Sequence, residues 1–331
     1  MEYPDFVQLP IELQNGLTDT GPGDRMRQDA SIETLTLVDA PATGSTDDMP
    51  SSVSVSATFH PQAELDPAEP DLTLVSSDSV FFYVHIHRLE RASANQFCSL
   101  LTPAALLSAG AGSCAGPPLF ALTEPAETLN LVLHAAYGLP CAHFRPALPA
   151  VRGALSALDK YGLPRALVGP TQPLFELLRA LAPAAPLDTY ALAAAQDLEP
   201  LAAAVSPHLL AFALPTLSDN AATAIGSKYL LRLLSLHCNR TETLKRLLRA
   251  PPASHAPAAS CGEHEQQVLM RAWALASSQL MWDVKPSTST HAIQIAFRKI
   301  EESLPCKACV DCLDRRVKEL VADWAAVKRT I

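Results

Sequence analysis

The sequence predicts an α+β protein in which a small sheet and a helical cluster are followed by an all-helical region. Two apolar runs flank a polar turn between residues 71 and 84, as in a pair of neighbouring strands. From Ala147 onward, apolar residues recur at helical spacing. The chain has 28 prolines among 331 residues, which favours short helices separated by turns. With 48% hydrophobic and 18% charged residues, we expect most of the chain to fold.

Residues 1–68 are expected to form a disordered acidic tail. Residues 1–70 contain 13 Asp and Glu side chains against Arg25 and Arg27, a net charge of −11. Such a segment buries too little apolar surface to offset the entropy lost on ordering. Two alternating pieces, Thr34–Val38 and Val53–Val55, offer the alternative that strands from the tail join a sheet. We favour the unpaired tail.

Residues 69–182 carry the mixed pattern of a small α+β domain. Strands are predicted at Leu72–Val75 and Val80–Val84, joined by the polar turn. Helical sequence follows over Ile86–Leu101, with a break at Ala92–Asn95. After a Gly-, Ala- and Pro-rich loop and a short apolar run, an amphipathic helix ends at Gly138. Residues 183–331 are predicted to be helical, apart from an exposed loop at residues 251–261.

Three segments together resemble a BTB/POZ domain: DLTLVSSDSVFFYVHIHRLERASANQF at Asp71–Phe97, LNLVLHAAYG at Leu129–Gly138 and ALDKYGLPRAL at Ala157–Leu167. The resemblance covers about residues 71–181. The positions that match the family's motifs are Asp71, His85, Ser93, Phe97, Tyr137 and Gly138. The motifs RAWALASSQLMWDVKPSTSTHAI and WAAVKRTI, with FHP at Phe59–Pro61, further resemble fungal BTB proteins.

The resemblance implies a non-enzymatic protein–protein interaction module that pairs through its first helix and the neighbouring surface. The candidate interaction surface is Leu89, Phe97 and Leu100, and the partners expected are proteins, including a second copy of the chain. The alternative is a substrate adaptor for a cullin-type ubiquitin ligase. Family members that bind cullins carry a hydrophobic-x-Glu motif before the third conserved strand. Here Leu122-Thr123-Glu124 comes after that strand, so the cullin scaffold is the less favoured partner.

Charge and hydropathy exclude other partners. The net charge of −9 gives no general footprint for nucleic acid or an anionic membrane, and the clusters around Lys245 and Arg315 lack interleaved aromatics. The two long uncharged stretches, Ala92–Thr123 and Pro200–Ser218, are interrupted by prolines, so neither is a continuous apolar span that could cross a membrane. The start of the chain does not have the charge pattern of a secretory signal. These features predict a cytoplasmic or nuclear protein with reduced cysteines.

Cys306-x-x-Cys309-x-x-Cys312 is the sharpest chemical motif in the sequence. Thiolates at this spacing can converge on one zinc ion, but three ligands leave a structural site open. A fourth ligand would have to come from a distance, and the candidates are His291, His264 and Cys261. We therefore predict no metal, and we expect these cysteines to pack as small apolar side chains.

The remaining motifs favour structural roles, so no catalytic residue and no cofactor are predicted. Gly110–Gly116 imitates both a dinucleotide-binding loop and a nucleophile elbow, but Pro117 and Pro118 block the helix that either of them needs. His85 is expected to form a structural hydrogen bond where a strand turns into a helix. The three tryptophans are expected in the core: Trp273, Trp282 and Trp324.

Overall fold

A computed structural model of the chain describes residues 32–35, 53–110, 116–257 and 261–331. These residues form a mixed α/β structure that is mostly helical, with one small sheet near the N-terminal end of the described chain. The predicted combination of a small sheet and many helices is confirmed at this level. The finer prediction of a BTB-like fold stays a prediction.

Within the described residues, the sheet has five strands in the order β1-β2-β4-β3-β5. The strands are β1 (Ile32–Leu35), β2 (Val53–Ser56), β3 (Leu72–Val75), β4 (Val80–Val84) and β5 (Leu119–Ala121). The antiparallel pairs are β1 with β2 and β3 with β4, whereas β2 pairs with β4 and β3 with β5 in parallel. The predicted hairpin of β3 and β4 is therefore present, and β5 lies at one edge of the sheet.

The prediction that disorder extends to residue 68 is wrong for residues 32–35 and 53–68, because Ile32–Leu35 and Val53–Ser56 join the sheet as strands, as in the alternative interpretation. Strand β2 is paired on both sides, and the Phe59 side chain is fully buried. Its ring contacts those of His134 and Tyr137, and its carbonyl accepts a hydrogen bond of 2.8 Å from the Tyr83 N–H. Tertiary packing thus recruits apolar residues from a segment whose overall composition favours disorder.

Among the described residues, five α-helices lie between β4 and residue 182, and most of them share the larger core with strands β3 and β4. They are α1 (Ile86–Ala92), α2 (Pro103–Gly110), α3 (Ala126–Tyr137), α4 (Leu148–Lys160) and α5 (Pro173–Leu181). Helix α3 ends as predicted, because Gly138 adopts the left-handed conformation. Helix α2 occupies the first part of the region expected to be a loop. Its alanines and leucines favour a helix that Pro103 can begin.

Six further helices form the remainder of the described chain, as the pattern beyond Ala147 predicted. They are α6 (Pro186–Ala195), α7 (Glu199–Val205), α8 (Asp219–Arg249), α9 (Glu263–Trp282), α10 (Thr290–Ser303) and α11 (Lys307–Ala326). The longest of them, α8, has one irregular point at Gly226, with φ +74°. No proline or glycine interrupts α8 beyond that point, so the helix continues.

Most buried apolar side chains of the described residues belong to two clusters, and α8 contributes to both. Its first half places Ile225, Tyr229 and Leu233 in the cluster that includes the sheet and the preceding helices. Its second half places Leu244 and Leu248 in a smaller cluster with residues of α9, α10 and α11. The long helix therefore connects the two cores.

Candidate functional site

The predicted interaction surface does not lie on the surface. Leu89 and Phe97 are fully buried in the larger core, and Leu100 is half-buried against it. Phe97 stacks on Tyr161, with ring centroids 4.1 Å apart. The prediction that these side chains form a contact face is wrong, because the rest of the larger core covers Leu89 on α1 and both Phe97 and Leu100 in the turn segment that follows α1.

The polar residues that carry the BTB resemblance make structural hydrogen bonds. The hydroxyl of Tyr137 accepts from the backbone N–H of His85 at 2.8 Å and lies 2.9 Å from Nδ1 of the same residue. The other ring nitrogen, Nε2, lies 3.0 Å from the carbonyl oxygen of Ala68. Burial raises the pKa of Tyr137 to about 12, so this phenol stays neutral. The structural role predicted for His85 is confirmed.

Asp71 and Ser93 also make structural hydrogen bonds, in their case to backbone groups. One carboxylate oxygen of Asp71 accepts from the N–H of Ile86 at 2.7 Å, at the start of α1. The Ser93 hydroxyl donates to the carbonyl of Tyr161 at 2.6 Å and accepts from the N–H of Phe97 at 2.7 Å. These contacts tie α1 and the turn after it to the end of α4.

Glu124, from the hydrophobic-x-Glu sequence, is held by α4 and by the residue that follows it. Its carboxylate pairs with Lys160 at 2.7 Å and accepts a hydrogen bond from the hydroxyl of Tyr161. Partial burial favours the neutral acid, but the hydrogen bonds from Lys160 and Tyr161 outweigh it and lower the pKa of Glu124. Most of the glycine-rich segment Gly110–Gly116 lies outside the described residues.

An uncharged surface is exposed at the β5 edge of the sheet. The chain has no Asp, Glu, Lys or Arg from Ala92 to Thr123, and the described part of this stretch includes α2 and β5, which pack against each other. Leu107 on α2 is 76% exposed, and Leu119 on β5 is 46% exposed. We call α2 and β5 the uncharged edge.

A second candidate site lies at the beginning of α11, in the smaller core. His255, Cys261, Cys306 and Cys309 place one ligand atom each in a group whose members all lie within 4.8 Å of one another. The Sγ atoms of Cys261 and Cys309 are 3.6 Å apart, and Nε2 of His255 lies 3.3 Å from Sγ of Cys309 and 3.6 Å from Sγ of Cys306. We call these four residues the Cys₃His cluster.

We predicted no metal because the three cysteines of the motif lack a neighbouring fourth ligand. The Cys₃His cluster supplies four candidate ligand atoms, so this reason no longer holds. His255 and Cys261, from the segment expected to be an exposed loop, lie beside Cys306 and Cys309, so that four potential ligand atoms come together. Cys261 is buried and His255 half-buried. Cys261 was a candidate from the sequence, whereas His255 was missed. The signal that could have found it is a histidine six residues before a cysteine in a proline-rich connection.

The thiols of the cluster have unequal acidities. The backbone N–H of Cys309 donates to the Cys306 thiol and lowers its pKa to about 7. Burial raises the pKa of Cys309 to about 12 and also raises that of Cys261. The third cysteine of the motif, Cys312, is not one of the four cluster residues.

The remaining basic and aromatic residues, Arg316 and the three tryptophans, lie in different environments. Arg316 caps the end of α8 by donating to the carbonyls of Leu247 and Ala250, at 2.8 and 2.9 Å. Trp273 and Trp324 are buried as predicted. Trp282 is 89% exposed at the end of α9, so its predicted place in the core is wrong. Helical spacing indicates which face is apolar but not whether another element covers it.

Comparison of the chain with protein-family models, with curated proteins and with solved structures finds no match. Within the described residues, no helix is both long enough and apolar enough to cross a membrane.

Proposed function

We propose that this protein is a non-enzymatic protein–protein interaction module that pairs with a second copy of itself through the uncharged edge. The observation that supports the proposal most directly is the pair of exposed leucines, Leu107 and Leu119, in a stretch without charged residues. Charged residues are depleted at the centre of protein interfaces, and apolar groups there are covered by the partner.

A second copy fits this surface better than a charged partner does. The net charge of −9 resides in residues 1–70, which carry −11, so residues 71–331 carry +2 and repel a second copy only weakly. The uncharged edge has no like charges to bring together. Strand β5 is also the last strand in the sheet order, so its outer edge can pair with the same edge of a second chain about a two-fold axis.

The polar motif residues support an interaction role. His85, Asp71 and Ser93 each form the hydrogen bonds that connect elements of the domain, and Glu124 is paired with Lys160. These contacts hold the elements next to the proposed interface in place. The cullin-adaptor alternative stays a prediction, which a binding assay with a purified cullin scaffold addresses.

Light scattering after size exclusion tests the pairing with the full chain at micromolar concentrations. We expect a dimer for the native sequence and monomers for Leu107→Glu and Leu119→Glu, because each substitution places like charges at the centre of the contact. Leu275→Glu is the matched control, since Leu275 is 73% exposed on α9, away from the uncharged edge. A monomeric native chain, or dissociation by Leu275→Glu alone, would show the proposal to be wrong.

A further inference from the structure

We propose that His255, Cys261, Cys306 and Cys309 bind one zinc ion in a closed structural site. Three thiolates and one imidazole form a common tetrahedral ligand set for Zn²⁺. The four ligand atoms already lie within 4.8 Å of one another, although the residues are separated by up to 54 positions in the chain. This proposal is independent of the pairing proposed above.

The measured separations match the edges of a zinc tetrahedron. Bond lengths of about 2.3 Å to sulfur and about 2.0 Å to nitrogen place two sulfur ligands ~3.8 Å apart and a sulfur and a nitrogen ~3.5 Å apart. The Cys261 and Cys309 sulfurs are 3.6 Å apart. Nε2 of His255 lies 3.3 and 3.6 Å from the sulfurs of Cys309 and Cys306. The remaining separations are no longer than 4.8 Å, so closure by about 1 Å completes the tetrahedron.

The histidine has the tautomer that a metal needs. Nδ1 of His255 lies 2.7 Å from the carbonyl oxygen of Ala256, so Nδ1 carries the proton and donates it. Nε2 therefore presents its lone pair to the three sulfurs. A hydrogen bond from the second ring nitrogen to a carbonyl is the usual support of a zinc-bound imidazole. The side-chain amide of Gln266 fixes the same residue by donating to the His255 carbonyl at 3.0 Å.

The N-terminus of α11 stabilises the ionised sulfur of Cys306. Cys306 is the N-cap of α11 and Cys309 lies in its first turn. Unpaired N–H groups at a helix N-terminus stabilise nearby negative charge, and the N–H groups of Ala308 and Cys309 contact the Cys306 thiol. This C-x-x-C pair supplies two ligands, and the segment ending at Cys261 supplies the other two.

The site is structural because four protein ligands leave no open coordination position. A zinc ion bound here would link His255 and Cys261, which lie between α8 and α9, to the start of α11 in the smaller core. A small core gains stability from a metal that binds only the folded chain. A Cys261–Cys309 disulfide is the competing arrangement, and it gives no role to Cys306 or to the orientation of His255.

Metal analysis of the full chain tests the site. The protein is purified under reducing conditions, and its zinc is counted by elemental and native mass spectrometry. We expect about one zinc per chain in the native sequence and in Cys312→Ser and Cys238→Ser, which alter cysteines outside the cluster. We expect roughly a tenfold lower zinc content in Cys261→Ser and Cys309→Ser.

A second measurement covers the case in which a cluster variant fails to fold. Co²⁺ replaces zinc in the native chain, and tetrahedral thiolate coordination gives intense ligand-field and sulfur-to-metal absorption. We also expect a chelator to lower the unfolding temperature by several degrees, with recovery on adding Zn²⁺. The proposal is overturned if the reduced native chain takes up less than about a tenth of an equivalent of zinc, or if Cys312→Ser loses as much as Cys309→Ser.

Discussion

The guanidinium group of Arg240 lies over the ring of Trp324, 4.2 Å from its centroid. Arg240 is buried on α8 between the two cores, and its N–H groups donate to the carbonyls of Pro286, Val327 and Lys328 at 2.8–3.0 Å. One charged side chain thus connects α8 to α11, to the segment before α10 and to the C-terminal residues. Planar, delocalised arginine suits such a buried position better than lysine does.

Arg240→Ala is expected to destabilise the protein by about 2–4 kcal/mol, because three carbonyls lose their donors and the face of Trp324 loses its cover. Arg240→Lys should recover only part of this loss, since an ammonium group cannot reach all three carbonyls from a stacked position. Urea unfolding at equilibrium measures both variants. Arg249→Ala on the same helix is the control, because Arg249 is exposed, and an equal loss there would contradict the assignment.

Gly162→Ala should cost more stability than Gly138→Ala. Both glycines have positive φ, +66° and +70°, so both variants pay about 1 kcal/mol for a left-handed alanine. At Gly162 an added Cβ would also lie 2.5 Å from Cγ of Asn95, whereas at Gly138 nothing lies within 4 Å. We expect a difference of about 1–3 kcal/mol in thermal or urea unfolding. Equal losses would mean that Asn95 moves aside freely.

Phe59→Ala tests whether the folded part of the protein begins before residue 59. Removing this fully buried ring should cost about 3–5 kcal/mol, because a cavity remains beside His134 and Tyr137. Limited proteolysis should leave a stable product whose N-terminus precedes Phe59. Leu231→Ala, which changes an exposed leucine, should have little effect. A stable product that begins after Pro61 would show that the segment is dispensable.

His134 should make the protein less stable at acid pH. Burial lowers its pKa from 6.5 to about 4, helped by the nearby charge of His143 and opposed by the hydrogen bond to the Asn130 carbonyl. The unfolded chain therefore binds a proton between pH 6.5 and 4 that the folded chain does not bind. The stability that comes from keeping His134 neutral is fully present above pH 6.5 and is lost as the pH falls towards 4. The free energy of unfolding should therefore decrease by about 2 kcal/mol between pH 7 and pH 5.

The pH effect is measured by urea unfolding at several pH values, with His134→Gln as the comparison. The variant keeps a side chain that can donate to Asn130 but does not titrate. It should lose less stability than the native chain between pH 7 and pH 5, while the other histidines contribute equally to both. Parallel pH profiles would show that His134 titrates normally in the folded protein.

The sequence by itself determined the local elements of this protein. Alternation and a polar turn predicted β3 and β4, and the spacing of apolar residues with Pro and Gly boundaries predicted the helices beyond Ala147. The role of His85 also followed from its place between a strand and a helix. These features depend on neighbours within a few positions, so the periodicity of the chain contains them.

Only the tertiary structure decided which faces are covered and which distant residues meet. Leu89 and Trp282 both lie in helices with apolar faces, yet one is buried and the other exposed, because a second element packs on the first alone. His255 lies beside Cys309, 54 positions later in the chain, because the fold places the residues after α8 next to the start of α11. Contacts of this kind depend on how elements pack, which local spacing does not encode.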